Sequence, residues 1–283
     1  MKYAFIAEQR KNFSVASLCR ALGVARNGFY AWLQAQNAPI EDDGLDDAIK
    51  AIFDSYDSVY GSPRIWQELR DLGWRVSEKR VAERMRTLGL VAKTKRKFKA
   101  TTNSNHNLPV APNLLEQDFT AEEKDRRWVA DITYIWTNEG WLYLAAVLDL
   151  YSRAIVGWSM NARMTRQLVC DALTMAIWRR RPQPGLIAHS DRGSQYCSQQ
   201  YQALLSAHGV LCSMSKKGDC YDNAAMESFF HSLKVERVHH RRYETREQAK
   251  QDVFEYIEVF YNQKRRHSTL NYKSPMQFEA MAV

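Results

Sequence analysis

Residues 128–136 read WVADITYIW, an apolar run of β-branched and aromatic residues with a single acid, Asp131, inside it. A run of that kind predicts a strand. Two more follow closely, WLYLAAVLDL at 141–150 and AIVGWSM at 154–160, with the turn sequences NEG and YSR between them. The pattern then becomes a helix TRQLVCDALTMAIWRR (165–180), a strand LIAHSD (186–191), a helix SQQYQALLSAHG (198–209), a short strand VLCSMS (210–215) and a helix from about Asp222. Three hairpin-linked strands followed by alternating helix and strand predict an α/β unit over 128–236, a mixed sheet with flanking helices.

Three acids stand out in that unit. An unpaired carboxylate is costly in an apolar strand, so Asp131 requires a compensating charge; a structural ion pair is the ordinary explanation. Asp191 ends the strand LIAHSD at the carboxyl edge of the sheet, where open α/β folds bind ligands, although an acid ahead of Arg192-Gly193 also suits a turn. Glu227 falls at the fourth or fifth position of the helix DNAAMESFFHSLK, too late for a capping box; solvent exposure is the usual fate of such a glutamate. The intervals are 59 residues between Asp131 and Asp191 and 35 between Asp191 and Glu227. Asp149 is a fourth acid in an apolar strand, but LDLYSRA reads as a hairpin end, where Asp is favoured. His189, Ser190 and Asp191 are not a hydrolase triad, because strand neighbours point to opposite faces; His189 shares the face of Asp191.

Toward the N-terminus, SVASLCRALGVARNGFYAWLQ (14–34) predicts two short helices around Gly23, a helix-turn-helix pattern over 1–35 that a plain helical hairpin would share. A solvated linker over 36–46 leads to a second helical unit, 47–91, with starts at Ser62-Pro63 and Ser77 and stops at Gly73 and Gly89. Trp66, Leu69 and Leu72 are expected in its core. Arg80, Arg84 and Arg86 are candidates for phosphate contacts, and a solvated helix face explains them as well. Residues 92–127 are polar and irregular, opening on KTKRKFK, whose Lys93, Lys95, Arg96, Lys97 and Lys99 suit either a phosphate backbone or a solvated charge run. The remaining 237–283 form a helical extension. In it Phe254, Ile257, Phe260 and Tyr261 make an apolar packing stripe, and KRRHS, with Arg265 and Arg266, is a candidate backbone-binding cluster.

Composition sets the class. A chain of 283 residues builds more than one core without covalent staples, and a net charge of +8 favours a polyanionic partner. The five cysteines are odd in number and never spaced as CxxC, which argues against a disulfide framework and a zinc knuckle. His239-His240 likewise lacks zinc-ligand spacing. No stretch approaches the roughly 18 apolar residues of a membrane span. A cytoplasmic, nucleoid-associated protein is expected.

The spacing of Asp131, Asp191 and Glu227 is the DD(35)E pattern of retroviral-integrase-like recombinases. The stretches WVADITYIW, HSDRGSQY, DNAAMESFFHSLKVE and YNQKRRHSTLNYKSPMQF, in this order, resemble the second-reading-frame (OrfB) transposases of the bacterial insertion sequence three family across the whole chain. The resemblance implies a ribonuclease-H-like core with a five-stranded sheet, and metal-dependent cleavage and strand transfer on double-stranded DNA. It implies that Asp131, Asp191 and Glu227 are the catalytic ligands of two Mg²⁺ or Mn²⁺ ions, with Asp131 bridging and Asp191 and Glu227 on one ion each. Such hard cations take oxygen donors, and a pair of them serves in-line phosphodiester transfer.

The same resemblance implies that Lys234, seven residues after Glu227, touches DNA near the scissile bond, and that Asn223 has a positioning role. It implies joining of element ends into a circular intermediate, and so a homo-oligomer on DNA. The family's active enzyme is usually a fusion to an upstream-frame product with another helix-turn-helix and a coiled coil; residues 1–35 carry no sustained heptads, so that product is an expected partner. Two other classes fit the same residues, a hydrolytic metal-dependent nuclease and a catalytically silent DNA-binding regulator.

Overall fold

The computed structural model describes residues 1–37, 44–93, 111–116, 118–215 and 223–281. The chain divides into two compact units, Met1–Ala51 and Ile52–Val283. In the first, α1 (Lys2–Gln9), α2 (Val15–Leu22) and α3 (Arg26–Asn37) enclose a small core of Ile6, Leu18, Cys19 and Phe29. Ser14 caps α2 by accepting from Ser17 N–H at 3.2 Å, which satisfies one of the free amides of the first turn. Gly23 ends the helix at φ +63°, a left-handed geometry that side chains disfavour. The expected helix pair around Gly23 is present, with α1 as its third member. Helix α4 (Leu45–Ser55) follows.

The larger unit contains α5 (Ser62–Asp71), α6 (Glu78–Thr87) and a five-stranded sheet of order β3-β2-β1-β4-β5. The strands are β1 (Arg127–Thr137), β2 (Gly140–Asp149), β3 (Ile155–Asn161), β4 (Ile187–Ser190) and β5 (Leu211–Met214). β1 to β3 form an antiparallel meander, while β4 lies parallel to β1 and β5 parallel to β4. Parallel neighbours need crossovers, supplied by α7 (Arg166–Arg180) and α8 (Gln199–Ala207). Helices α9 (Ala224–Glu236), α10 (Arg246–Phe254) and α11 (Pro275–Met281) complete it.

Strand alternation splits the core into two layers. Trp128 and Ala130 pack with Leu168 and Leu173 of α7 and Leu205 of α8. Val129 and Ile135, pointing the other way, pack with Phe229 and Leu233 of α9 and Val253 of α10. Neither layer leaves room at Gly157 of β3, where a Cβ would lie against the Ala172 carbonyl, 2.7 Å from Ala176 N and 2.8 Å from its Cβ. Backbone cannot step aside as a side-chain tip can, so Gly157→Ala is expected to cost about 1–3 kcal/mol as overpacking. Denaturant unfolding measures it; an unchanged midpoint would show that α7 slides freely on β3.

The C-terminal extension is internal structure. Arg265 and Arg266 are each 6% exposed. Arg265 donates to both oxygens of Glu236 at 2.6 and 2.8 Å, and Arg266 donates to Glu68 at 2.5 Å and Asp71 at 2.7 Å. The expectation that these two arginines bind a DNA backbone is therefore corrected. Buried guanidiniums need carboxylate partners, and α5 and α9 supply them. Through Arg266 the extension holds α5 in the same unit as the sheet. Lys93 is corrected in the same way, since its ammonium donates to Asp57 at 2.8 Å and to the Glu236 carbonyl at 3.3 Å. Lys95, Arg96, Lys97 and Lys99 lie outside the described residues.

Two apolar expectations also change. Leu69 is buried, but Leu72 is 67% exposed just past the end of α5. Residues Glu255–Tyr261 wind as a π-helix, whose longer turn buries Tyr256, Ile257 and Tyr261 while Phe254 stays 46% exposed.

Candidate active site

The sheet register brings two of the three acids together. Ala130 of β1 pairs with Ser190 of β4, and Asp131 and Asp191 are the next residues on the two strands. Their backbones are therefore neighbours at about the 4.8 Å spacing of adjacent strands. Asp131 pairs across β1–β2 with Ala146, which belongs to the layer beneath α9; alternation puts Asp131 on that side. The first turn of α9 is pinned there, because Asn223 Nδ2 donates to the Ala130 carbonyl at 3.3 Å. Glu227, exposed, stands one turn further along α9.

Electrostatics link the three. Burial pushes the Asp131 carboxyl up to about 8; the charge of Asp191 raises it further and Glu227 adds to that, while the Ile132 amide and Lys234 oppose them. The Ile132 N–H donates to Asp131 Oδ1 at 2.7 Å. Asp191 accepts from Gly193 N–H at 2.9 Å, so the turn role expected of an acid before glycine is also present. A carboxyl raised from 3.8 to about 8 favours the folded chain below its unfolded value and loses that contribution as pH climbs through the folded one. The metal-free chain is thus expected to lose melting temperature across this interval, and Asp131→Asn to flatten the loss. Parallel melting curves of the two proteins would contradict the burial of that charge.

Lys234, two turns along α9 from Glu227, has its ammonium 4.9 Å from the centroid of the Tyr134 ring. Burial lowers its pKa and Asp131 counteracts this. It borders an open groove with Trp136, Trp141, Arg241 and Arg242, and the two tryptophans stay 58% and 43% exposed. Arg80 is exposed on α6 and Arg84 half-buried. The other polar residues serve structure. Asp149 accepts from Asp125 N–H, Ser152 N–H and Ser152 Oγ, as a hairpin acid should. His189 is buried between Ser213 at 2.8 Å and Ser215 at 3.2 Å.

Residues 121–220 match the Integrase core domain family, residues 227–283 a second Integrase core domain family, and residues 40–98 an HTH-like domain. The transposase InsF of insertion sequence IS3A from Escherichia coli (strain K12) is 50% identical over 283 residues, spanning 99% of this chain and 98% of the relative. The chain belongs to the IS3 family of transposases. A 31 kDa protein of insertion element IS600 from Shigella sonnei is 48% identical over 92% of this IS3-family chain and 97% of its own. Among solved structures, the HTLV-2 integrase catalytic core in complex with magnesium matches 56% of this chain and 99% of its own at 16% identity, with a TM-score of 0.44. The IS3-family chain is a DNA transposase with a ribonuclease-H-like core, a DDE-type polynucleotidyl transferase, and integrase-core enzymes are metal-dependent. Among the described residues no helix is long and apolar enough to cross a membrane.

The donor chemistry at this transposase site fits a hard divalent cation. The acids present only oxygen, Asp131 is short of positive charge, and Asn223 Oδ1 is buried with no hydrogen-bond partner. Among the described residues no three His, Cys, Asp or Glu side chains already close on one point as a finished cage; three carboxylates repel until a cation draws them in. Tyr196 belongs here too and was missed from sequence. Its buried hydroxyl lacks a partner, and after burial the Asp131 charge is the largest influence on it. Its place within HSDRGSQY, five residues after Asp191, was the available signal.

Proposed function

We propose that Asp131, Asp191 and Glu227 are the catalytic carboxylates of this transposase, and that together they hold two Mg²⁺ or Mn²⁺ ions. Asp131, between the other two, is the shared ligand; Asp191 and Glu227 each complete one ion. When bound, the cations neutralise charge on the scissile phosphate and lower the pKa of an attacking oxygen. The chain's own residues fix the geometry. β1 and β4 hold two acids at adjacent backbone positions, and Asn223 locks the start of α9 to β1 so that Glu227 approaches from the third side. The Asp131 carboxyl, which feels both other acids, is the observation that carries this reading.

Cleavage is attack of water on phosphorus with release of a 3′-hydroxyl. That hydroxyl then attacks a second phosphodiester, so one P–O bond forms as another breaks and no external energy source is required. Lys234 sits where a backbone phosphate next to the cut would need a cation. Arg80 and Arg84 on α6 are further phosphate contacts, and Lys95, Arg96 and Lys97 suit the same strand. The enzyme works as a multimer on two element ends, with the upstream-frame product as partner, in the nucleoid-bearing cytoplasm.

Incubation of the protein with paired element ends and Mn²⁺ tests this, with joined products as the expected result. Cut but never joined ends would make it a nuclease, and binding without cutting a regulator. Lys234→Ala is expected to weaken DNA binding uniformly across sequences and to reduce the slope of log K against log salt by about 0.9, the release of one counterion. An unchanged slope would remove Lys234 from the DNA path.

A further inference from the structure

A second polar cavity, of about 290 Å³, lies along α9 beside the acids. Ser228 and Ser232 form one wall and Arg64, Arg153, Arg265 and His267 the others. Ser228 follows Glu227 directly, so this wall is turned only about 100° around the helix from the catalytic acid. The arginines come from three distant parts of the chain. Arg64 is the third residue of α5, Arg153 lies in the β2–β3 hairpin, and Arg265 follows the π-helix.

The charges here do not balance. Arg265 is answered by Glu236 through two hydrogen bonds, and Glu236 is also engaged by the Tyr256 hydroxyl at 2.7 Å. Arg64 rests 5.4 Å from the centroid of the Tyr60 ring, and neither its guanidinium nor that of Arg153 has a hydrogen-bond or ion-pair partner among the described residues. Burial lowers the pKa of both, and for Arg64 the neighbouring Arg265 adds to this. His267 cannot take up charge, since burial and the three surrounding guanidiniums hold it down to about 2. Arg153 also adopts φ +61°, a left-handed conformation that a long side chain holds only when its surroundings enforce it. Two half-buried, unanswered guanidiniums sharing one cavity are a standing cost unless an anion arrives.

Guanidinium forks, serine hydroxyls and a neutral imidazole are together a donor set for a tetrahedral oxyanion. We propose that this cavity is a phosphate site in which Arg64 and Arg153 grip a backbone phosphodiester of the DNA strand cut at Glu227. The proposal rests on the reading of Glu227 as catalytic. It also gives α5, within the region matching the HTH-like domain, a direct part in holding DNA against the catalytic core. One phosphate fixed beside α9 sets which neighbouring phosphodiester reaches the acids, so the site orients the substrate.

Inorganic phosphate is the first probe and duplex DNA the second, each on the full chain. Phosphate is expected to raise the melting temperature of the unaltered protein above that in chloride of equal ionic strength, and to have no such effect on Arg64→Gln/Arg153→Gln. The double variant should bind duplex DNA at least about tenfold more weakly, with a salt slope smaller by roughly 1.8 for two lost contacts. Arg64→Lys/Arg153→Lys, which keeps the charge and loses the fork, should retain most of the slope and guards against a folding defect in the glutamine pair. Binding is read in the Glu227→Gln background as well, so loss of the phosphate site and loss of the catalytic role register separately. An unchanged phosphate response and salt slope in the double variant would overturn the proposal. So would stabilisation by an acidic peptide but not by phosphate, which would make the cavity a protein-docking site.

Discussion

Glu227→Gln is expected to abolish strand joining while leaving DNA binding intact. The substitution keeps the shape and hydrogen-bonding reach of the side chain and removes one negative charge. Glu227 is exposed in the first turn of α9, so its loss disturbs no packing, whereas Met226, Phe229 and Phe230 around it are the buried anchors of the helix. The drop in joining should be at least about 10²–10³-fold, the cost of deleting one preorganised charge-stabilising group. Asp131 should respond as well, since one of the two charges that raise its pKa has gone. Gel assays of joining beside equilibrium DNA binding separate the two effects. A mutant that joins ends at the normal rate would remove Glu227 from the chemistry.

Arg265→Ala should be among the most destabilising single changes in the chain. It strips Glu236 of both guanidinium hydrogen bonds, leaving a carboxylate 7% exposed with only the Tyr256 hydroxyl. Removing one partner of a buried pair costs about 3–5 kcal/mol, because the remaining charge stays buried. For a unit of this size that corresponds to a fall in melting temperature on the order of 10 °C. Glu236→Gln should cost less, since the amide still accepts one bond while Arg265 retains contact with Ser232 at 3.1 Å. Thermal unfolding of both variants decides it. A surface arginine serving DNA would give no shift in melting temperature and a clear loss in binding, the opposite signature.

The contrast between these residues shows what the sequence discloses. All five strands and the helices between them follow from short-range pattern, because alternation and β-branched runs are set by which face each residue presents to the core. Asp131 was legible because an acid inside WVADITYIW contradicts its surroundings, and Asp191 because it closes a strand at the ligand-binding edge. The role of Arg265 was not legible. A basic run such as KRRHS has the same composition whether it faces solvent or folds inward, and its answering acids, Glu68, Asp71 and Glu236, lie 29 to 198 residues away. Lys93 failed for the same reason. The π-helix over Glu255–Tyr261 shifts the apolar stripe by a residue, which no 3.6-residue period anticipates. Arg64 and Arg153 stayed hidden because only the fold brings an α5 side chain beside a hairpin turn.

The central claim is that Asp131, Asp191 and Glu227 close on a pair of divalent cations. Anomalous diffraction from crystals soaked in Mn²⁺ tests it most directly. Two manganese peaks are expected, roughly 3.5–4 Å apart, with an oxygen of Asp131 on both and Asp191 and Glu227 on one each. Peaks bound elsewhere, or a site filled by the two aspartates while Glu227 stays turned to solvent, would contradict the account.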